Sequence, residues 1–339
     1  MTDPLVAGCD SPLSTRHDVA LLDLDGVLYV GPDAVPGAPE AVRAAAAAGM
    51  RPAYVTNNAS RTPEAVAAHL RELGLPAETG DVVTSAQAAA TLVADRVPPG
   101  SAVLVVGGEG LVAALRERGL TPVHEAGPGV SAVVQGYDPG VGWRQLAEGA
   151  YAVATGVPWI ASNMDATIPT PRGTAPGNGT LVGVVASTVG RPPDAVAGKP
   201  ETPLHRESVQ RTGAEHPLVV GDRLDTDIEG ANRAGVPSLL VLTGVSRPAD
   251  LLRAGPELRP TYLAADLESG LMQPHPGVEA EGSGWVCGGW TVQVAGPEVT
   301  VTGGGDPVDG LRALCVAWWA SASDLQDTDP GPALAAVGW

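Results

Sequence analysis

Ten residues near the start of the chain, Val19–Leu28, constrain its fold more than any other stretch. Four apolar residues, Val19–Leu22, are enough for a buried strand, and they lead directly into Asp23, Asp25 and a glycine. On an extended chain, side chains two positions apart point to the same face. Two carboxylates placed together repel each other unless a cation or a proton lies between them. The stretch therefore indicates either a divalent metal site or an acidic turn that simply ends a strand.

The composition of the 339-residue chain limits the classes of protein to which it can belong. With 44% hydrophobic residues it can bury a large core, and its length favours two or more domains. It has no apolar run of about 18 residues and no signal-peptide pattern, so neither a membrane span nor secretion is expected. The net charge of -18 argues against a nucleic-acid or membrane partner. Three widely spaced cysteines fit a reduced, cytoplasmic location better than a disulfide framework.

Strand and helix patterns alternate along most of the chain, and this alternation is typical of a parallel sheet covered by helices. Alanine-rich runs, N-cap residues, proline at the first helical position and closing glycines mark the helices. The predicted helices are 40–48, 63–73, 81–97, 110–118, 143–155 and 203–211. The predicted strands are 19–22, 51–55, 102–106, 131–134, 159–161, 218–220 and 238–242. A long loop rich in proline and glycine is expected from Asp165 through Gly179.

Polar residues follow several of the predicted strands. Thr56–Asn58 offers hydroxyl, amide and backbone donors suited to an anion. Lys199 is the only lysine of the chain, and Asp222, Asp225 and Asp227 follow a further strand. Loops at the carboxyl ends of parallel strands gather in one crevice. Phosphoryl transfer needs such a set, because it uses a nucleophile or water, a hard cation and donors around the phosphate oxygens.

Four segments, Asp23–Gly26, Thr56–Asn58, Gly198–Pro200 and Gly221–Asp227, resemble motifs I to IV of the haloacid dehalogenase (HAD) superfamily, in the same order. The insertion between motifs II and III resembles the α/β cap of the NagD-like branch. That branch includes p-nitrophenyl, phosphoglycolate and pyridoxal phosphatases and an actinobacterial glycerol 3-phosphate phosphatase. The resemblance covers about residues 16–272 and implies an α/β fold with a Rossmann-like parallel-sheet core and an inserted cap.

The resemblance also implies where the domains begin and end. The core is expected in two parts, residues 16–100 and 193–273, with the α/β cap at 101–192 between them. Residues 274–339 lie outside the family pattern and form a C-terminal α+β extension.

The extension is predicted to be a small ββα unit. Two alternating segments, 285–294 and 299–302, indicate a hairpin, and apolar residues at helical spacing from Leu311 indicate a helix. A unit of this size needs to dock on the body or on another subunit. The residues after Ser321 are expected to be loosely ordered. The extension resembles part of an acetyltransferase fold, but it lacks a pyrophosphate-binding loop, so a structural or regulatory role is expected in place of acetyl transfer.

The family resemblance implies chemical roles for the acidic motif residues. Asp23 would attack phosphorus to form an aspartyl phosphate, while Asp25 would protonate the leaving alkoxide and then take a proton from water. Mg²⁺ would be held by Asp23, the backbone carbonyl of Asp25 and Asp222. Asp227 would be an outer-shell partner or a further ligand. For Asp225 a solvated or capping role is favoured.

The resemblance also implies which residues bind the substrate. Thr56, Asn57, Asn58 and Lys199 would hold the phosphoryl oxygens. Arg223 is ambiguous, because it would either pair with a neighbouring acid or face the entrance.

In relatives, the cap loop after an Asn-x-Asp segment contacts the leaving group. Asn163, Asp165 and Arg172 are therefore the candidates for specificity, although each could instead brace a long loop.

The expected partner is a small phosphorylated metabolite, with glycerol 3-phosphate favoured. Phosphoglycolate, pyridoxal phosphate and nucleoside monophosphates are the alternative substrates. A protein that binds a phosphorylated metabolite without catalysis is the alternative from another class. The sequence leaves open a homodimer formed through the cap or the extension.

Overall fold

The computed structural model describes residues 4–170 and 172–339. The chain forms two compact units: the first joins the chain up to Pro52 with Ala214–Trp339, and the second spans Ala53–Gly213. Among the described residues, none of the helices combines the length and the apolar character needed to cross a membrane.

The strands are numbered in chain order. They are β1 (Val19–Leu22), β2 (Tyr29–Val30), β3 (Asp33–Ala34), β4 (Arg51–Thr56), β5 (Val82–Thr84), β6 (Ala102–Val106), β7 (Thr121–Val123), β8 (Val130–Gln135), β9 (Trp159–Ala161), β10 (Thr167–Thr170), β11 (Gly173–Pro176), β12 (Ala195–Val196), β13 (Pro217–Gly221), β14 (Ser238–Val241), β15 (Tyr262–Ala264), β16 (Glu279–Glu281), β17 (Gly284–Cys287), β18 (Trp290–Ala295) and β19 (Glu298–Gly303).

The α-helices are numbered in the same way. They are α1 (Ala38–Ala47), α2 (Pro63–Glu72), α3 (Ser85–Ala94), α4 (Glu109–Glu117), α5 (Trp143–Ala154), α6 (Asn178–Val189), α7 (Pro203–Thr212), α8 (Glu229–Ala234), α9 (Pro248–Leu252), α10 (Leu267–Met272), α11 (Pro307–Ala320) and α12 (Gly331–Ala336).

The first unit contains a parallel sheet in which β1 pairs with β13, β13 with β14 and β14 with β15. All residues of β1 and β14 are buried. Strands covered on both faces need continuous apolar runs, which is why the sequence of β1 has no polar alternation. The predicted strands at 19–22, 218–220 and 238–242 are confirmed.

The second unit contains a five-stranded sheet with the order β12-β9-β8-β6-β7, and β4 pairs in parallel with β5. The pairings within the five-stranded sheet are parallel. Leu104, Val133 and Trp159 are fully buried in its core. The predicted strands at 102–106, 131–134 and 159–161 are confirmed, and so are the helices now labelled α2, α4, α5 and α7. Both units thus have the expected α/β character.

The predicted helix at 81–97 is wrong in its first part. Val82–Thr84 forms β5, and α3 begins only at Ser85. Thr84 and Gln87 form a reciprocal capping box: the Thr84 hydroxyl accepts the Gln87 N–H at 3.3 Å, and Gln87 Oε1 accepts the Thr84 N–H at 2.9 Å. This box fixes the start of the helix, and the β-branched residues before it favour a strand.

The loop predicted from Asp165 through Gly179 contains regular structure. Strands β10 and β11 pair as an antiparallel hairpin, and α6 begins at Asn178. Prolines and glycines mark the turn and the ends of these short elements, so composition alone suggested a loop. The predicted cap of α7 is also corrected, because Thr202 has helical dihedral angles and makes no side-chain cap bond.

The extension is larger than the predicted ββα unit. Strands β16 to β19 form a four-stranded antiparallel sheet. The segment 285–294, expected as one strand, is divided into β17 and β18 by a tight turn, with Cys287 opposite Trp290. The stretch after Ser321 is ordered and contains α12, with Leu325, Leu334 and Val337 buried. Apolar residues are sparse there, so the sequence did not reveal that they are buried.

The extension packs on the body of the first unit, as its small size required. Leu311 and Leu314 of α11 share one apolar cluster with Leu240 and Leu263 of the parallel sheet. Trp319 adds a polar contact, because its indole N–H donates to the carbonyl oxygen of Leu251 at 3.0 Å. The extension is therefore part of the hydrophobic core of this unit.

Arg312, the only arginine or lysine between 274 and 339, is a buried anchor of the extension. Its guanidinium donates to the carbonyl oxygen of Leu263 at 2.6 Å and to Nδ1 of His275 at 3.1 Å, and it pairs with Asp309. Because Nδ1 of His275 accepts this bond, Nε2 carries the proton and donates to the carbonyl oxygen of Gly270 at 2.8 Å. The network joins the helix α11 to the edge strand β15.

Two buried histidines predict that stability falls in mild acid. Burial, together with the charge of Arg312, lowers the pKa of His275 to about 4. Burial and the charge of Lys199 lower the pKa of His205 to about 3. Below about pH 6.5 the unfolded chain binds protons that the folded rings exclude, so each ring reduces stability as the pH falls. At pH 5 the loss approaches about 2 kcal/mol per ring.

This prediction is checked by urea unfolding at pH 7.5 and pH 5. The difference in unfolding free energy between the two pH values should shrink in the variants His275→Gln and His205→Gln. His124→Gln serves as a control outside these buried sites. An undiminished difference in both buried-site variants would contradict the assignment.

Candidate active site

Two acidic residues follow neighbouring strands of the parallel sheet in the first unit. The register of β1 with β13 places Leu22 opposite Val220. Asp23 continues from this pair, because its N–H donates to the carbonyl oxygen of Val220 at 2.9 Å. Asp222 follows directly after β13. Because the two strands are parallel and in this register, both carboxylates leave the sheet at the same end.

A third acid completes a compact carboxylate cluster, defined as Asp23, Asp222 and Asp227. One ligand oxygen from each of them lies within 4.8 Å of the other two. Asp222 and Asp227 are 0% and 1% exposed. Asp227 comes from a single π-helical turn, Leu224–Ile228, and one of its oxygens accepts the N–H of Arg223 at 3.1 Å. This turn brings Asp227 back to the end of β13.

Asp222 is enclosed by two backbone segments. The N–H of Val245 donates to its carboxylate at 2.6 Å. A Cβ atom at Gly26 or at Gly244 would lie 2.4 or 2.0 Å from the same carboxylate oxygen. The two segments are also joined to each other, because the Thr243 hydroxyl donates to the carbonyl oxygen of Gly26 at 2.6 Å. Only glycine at both positions leaves room for the buried carboxylate.

The residues Thr243–Ser246 were not predicted as part of the site. Thr243 and Gly244 directly follow the predicted strand 238–242, and this position could have identified them as site residues. A strand end next to β13 should carry residues that face the same edge of the sheet. The contacts to Asp222 show that this rule applied here as well.

The carboxylate cluster fits a hard divalent cation. All three side chains offer oxygen ligands, which Mg²⁺ and Ca²⁺ prefer. Three carboxylates at this separation, two of them buried, repel each other strongly without a cation or a proton. The enclosing segments further fix the Asp222 side chain, as expected for a preorganised site.

Asp25 is not one of the three carboxylates of this cluster. Its side chain is exposed, and the chain turns directly after it, with the Gly26 N–H donating to the carbonyl oxygen of Tyr29 at 2.8 Å. The strand ends at Leu22, so the same-face rule for extended chains does not govern the Asp23 and Asp25 pair. The expected metal contact through its backbone carbonyl stays a prediction.

Asp225 and Arg223 form an exposed ion pair. Nε and Nη2 of Arg223 lie 3.0 and 2.8 Å from the two carboxylate oxygens of Asp225. This is the pairing with a neighbouring acid that the sequence left open for Arg223, and it agrees with the solvated role favoured for Asp225.

In the second unit, the Asn57 side chain holds the backbone of Lys199. Its Oδ1 accepts the Lys199 N–H at 2.8 Å, and its Nδ2 donates to the Lys199 carbonyl oxygen at 3.1 Å. Nδ2 also lies 3.3 Å from both carboxylate oxygens of Asp165. Lys199 is 4% exposed. The backbone of the lone lysine is therefore held by a side chain of motif II.

Thr56 and Asn58 organise the turn that carries Asn57. The Thr56 hydroxyl accepts the N–H of Asn58 at 3.1 Å. Oδ1 of Asn58 accepts the N–H groups of Ser60 at 2.9 Å and Arg61 at 3.2 Å. The oxygen of the Asn58 side chain thus closes a turn, a common role of asparagine at such positions.

Asn163 and Asp165 lie in the same network as Asn57, whereas Arg172 lies elsewhere in the unit. Nδ2 of Asn163 donates to the Asn57 carbonyl oxygen at 2.8 Å, and its Oδ1 accepts the Asp165 N–H at 3.1 Å. Arg172 is exposed in the turn between β10 and β11, where its N–H donates to the Thr170 hydroxyl at 3.3 Å. The structure therefore groups two of the three specificity candidates.

Family comparisons agree with the motifs. A model described as haloacid dehalogenase-like hydrolase matches residues 20–121, and a HAD-hydrolase-like model matches residues 196–269. A model of a GCN5-related N-acetyltransferase like domain matches residues 287–339. The extension thus has the partial acetyltransferase resemblance seen in the sequence.

Among curated proteins, the D-glycerol 3-phosphate phosphatase of Mycobacterium tuberculosis is 45% identical over 331 residues, which cover 92% of this chain and 89% of that protein. The acid sugar phosphatase of Staphylococcus aureus is 37% identical over 260 residues, covering 76% of this chain and 98% of that protein.

Solved structures lead to the same family. A glycerol phosphate phosphatase from Mycobacterium tuberculosis in complex with magnesium has a TM-score of 0.87 and 42% identity, covering 96% of this chain and 98% of that one. The p-nitrophenyl phosphatase from Archaeoglobus fulgidus has a TM-score of 0.68 and 28% identity, covering 74% and 97%. All three members of the carboxylate cluster lie within the residues that the two hydrolase models match, and the chain belongs to the haloacid dehalogenase-like hydrolase family.

Proposed function

We propose that the chain is a Mg²⁺-dependent phosphomonoesterase that hydrolyses glycerol 3-phosphate through an aspartyl-phosphate intermediate. The observation that carries the proposal is the compact cluster of Asp23, Asp222 and Asp227 at the ends of the paired strands β1 and β13. The phosphatase relatives that span most of the chain support the same reaction class.

In this proposal the three carboxylates and the backbone carbonyl of Asp25 would hold Mg²⁺. The cation would neutralise charge at the phosphoryl oxygens and so lower the repulsion between them and the attacking carboxylate. The magnesium complex of the mycobacterial glycerol phosphate phosphatase supports the identity of the cation.

The covalent chemistry is assigned to two residues of the first motif. An oxygen of Asp23 forms a bond to phosphorus as the bond from phosphorus to the leaving oxygen breaks. Asp25, protonated at this stage, gives its proton to the leaving alkoxide. A water molecule then attacks the aspartyl phosphate, Asp25 takes the proton from that water, and inorganic phosphate leaves with Asp23 restored. The exposure of Asp25 is compatible with proton exchange with solvent.

The phosphoryl oxygens are assigned to Thr56, Asn57, Asn58 and Lys199. Their order in the sequence motifs supports this role. The two hydrogen bonds between the Asn57 side chain and the Lys199 backbone support it further, because they fix the main chain from which the cationic side chain extends.

Residues 101–192 are proposed to act as the cap, with Asp165 selecting the leaving group and Asn163 holding the Asp165 backbone through its side-chain oxygen. A small polar alcohol such as glycerol presents hydroxyl groups that a carboxylate can bind. The 45% identity to a D-glycerol 3-phosphate phosphatase supports this substrate. The acid sugar phosphatase relative makes a sugar phosphate the second candidate.

Phosphate release from a panel of esters tests the proposal. With Mg²⁺, glycerol 3-phosphate should exceed phosphoglycolate, pyridoxal phosphate, a hexose phosphate and a nucleoside monophosphate by about tenfold or more in kcat/KM. Removal of the cation with EDTA should abolish turnover, and restored Mg²⁺ should recover it. Preference for another ester would overturn the substrate, and binding of an ester without any release would favour the non-catalytic alternative.

A further inference from the structure

The buried polar groups at the end of β8 are the observation that leads beyond the proposed function. Gln135 is the last residue of this strand and is 0% exposed. It lies between two neighbouring strands, opposite Val106 of β6 and Ala161 of β9. Within residues 4–170 and 172–339, neither Oε1 nor Nε2 of its side chain has a protein hydrogen-bond partner.

Asn178 brings a second buried amide to the same strand end. It is the first residue of α6 and is 1% exposed. Its Nδ2 lies 2.7 Å from the carbonyl oxygen of Asn163 and 3.5 Å from that of Gln135. Its Oδ1 is buried and, in the described part of the chain, lacks a protein partner as well.

Unpaired buried amides are costly, so native proteins normally satisfy them with protein or ordered water. The three unpaired atoms are the amide nitrogen Nε2 of Gln135, which can donate, and the oxygens Oε1 of Gln135 and Oδ1 of Asn178, which can accept. This matches the number of bonds that a buried water molecule commonly makes. An apolar residue at position 135 would avoid the free-energy cost of burying an unpaired amide. The glutamine at this position therefore indicates that its amide group has a role.

The start of α6 is tightly joined to the segment that carries Asp165. The Gly179 N–H donates to the Asp165 carbonyl oxygen at 2.9 Å. A Cβ atom at Gly179 would lie 2.3 Å from the Met164 carbonyl oxygen, so only glycine permits this approach. A displacement of Asn178 would therefore also displace Asn163 and Asp165.

We propose that Gln135 and Asn178 are positioning residues that share a buried water molecule and thereby fix the segment Asn163–Asp165. The proposal rests on the proposed function, because it makes this segment the part of the second unit that selects the leaving group. Gln135 acts only through Asn178 and the shared water, and it sets the geometry in which Asp165 meets a hydroxyl-bearing leaving group.

Gln135→Met tests the proposal, because methionine matches the length of glutamine and removes its donor and acceptor. Amide hydrogen exchange of residues 163–166 should accelerate about tenfold, since each lost constraint makes local opening easier. The ratio of kcat/KM for glycerol 3-phosphate to that for p-nitrophenyl phosphate should fall about tenfold, mainly through KM, because only the first ester presents hydroxyls to Asp165.

Gln145→Met is the matched control. Gln145 is a half-buried glutamine of α5 whose Oε1 also lacks a protein partner among the described residues. The variant Gln145→Met should change neither the amide hydrogen exchange of residues 163–166 nor the ratio of kcat/KM values for the two esters. Asn178→Asp keeps the size of the side chain but removes the donor to Asn163, and it should act in the same direction as Gln135→Met.

Unchanged exchange of residues 163–166 in Gln135→Met would overturn the positioning role, as would an unchanged substrate ratio in an active enzyme. If the wild-type protein hydrolysed neither ester, the proposed function would fail, and the exchange measurement would still decide this inference.

Discussion

Replacing Asp23 with asparagine is expected to reduce phosphate release by roughly 10⁴-fold, because an amide cannot act as the attacking nucleophile. Asparagine has nearly the shape of aspartate, so the buried end of β1 should still fold. Initial rates with glycerol 3-phosphate and Mg²⁺, with circular dichroism as a check on folding, measure the effect.

Asp225→Asn is the matched control for this change. Asp225 comes from an acidic motif of the same site, but its side chain is exposed and pairs with Arg223. Loss of an exposed ion pair has little consequence, so the rate should stay within about twofold of wild type. Equal rates for Asp23→Asn and wild type would rule out the covalent mechanism.

Trapping of the phosphorylated enzyme intermediate separates the proposed nucleophilic role of Asp23 from its proposed role as a metal ligand. Acid quenching of the wild-type reaction with labelled substrate should yield a phosphoprotein that hydroxylamine cleaves, as expected for an acyl phosphate. Asp23→Asn should yield none. Recovery of labelled protein from Asp23→Asn would place the nucleophile on another residue.

Arg312→Met is expected to destabilise the first unit by about 3–5 kcal/mol. The change leaves Asp309 without its cationic partner and removes the donors to Leu263 and His275. Burial already raises the pKa of Asp309, which shows that its surroundings disfavour the charge. Urea unfolding followed by tryptophan fluorescence measures the loss.

Arg233→Met is the control for loss of an arginine ion pair. Arg233 pairs with Glu229 one helical turn away, and its side chain is 42% exposed. This pair should contribute less than about 0.5 kcal/mol. Similar losses in the two variants would mean that the Arg312 network does not anchor the extension.

The anchor also predicts the behaviour of a chain truncated near residue 273. The truncation would expose Leu240 and Leu263, which share their apolar cluster with α11. Exposed apolar surface of this kind promotes aggregation. The extension is therefore expected to behave as a structural part of the first unit.

Hydrophobic pattern and turn chemistry predicted most of the parallel strands correctly. A strand buried on both faces must be continuously apolar, and such runs are visible in a sequence. The predictions were wrong at 81–97 and at 165–179, where short elements lie close together. There the capping box of Thr84 and Gln87 and the pairing of β10 with β11 determine the structure.

The extension shows a second limit of sequence patterns. Its residues after Ser321 are rich in small and polar types, and yet Leu334 and Val337 are buried. Burial depends on which residues pack against a side chain. For this segment those residues lie elsewhere in the sequence, so its own residues do not reveal the burial. The role of Arg312 was hidden for the same reason, because Leu263 and His275 lie far from it along the chain.

The sequence by itself indicated the phosphatase class, because four segments resemble the family's motifs in the same order. It also singled out Asp23 and Asp222 as the acids proposed for the reaction, because both directly follow apolar strands. Only the tertiary structure decided which groups surround them. The π-helical turn returns Asp227 to Asp222, and the glycines at 26 and 244 make room for the Asp222 carboxylate. Likewise, the contacts of Gln135 and Asn178 depend on strand register and helix packing. These are long-range properties, set by how the whole unit fills its core.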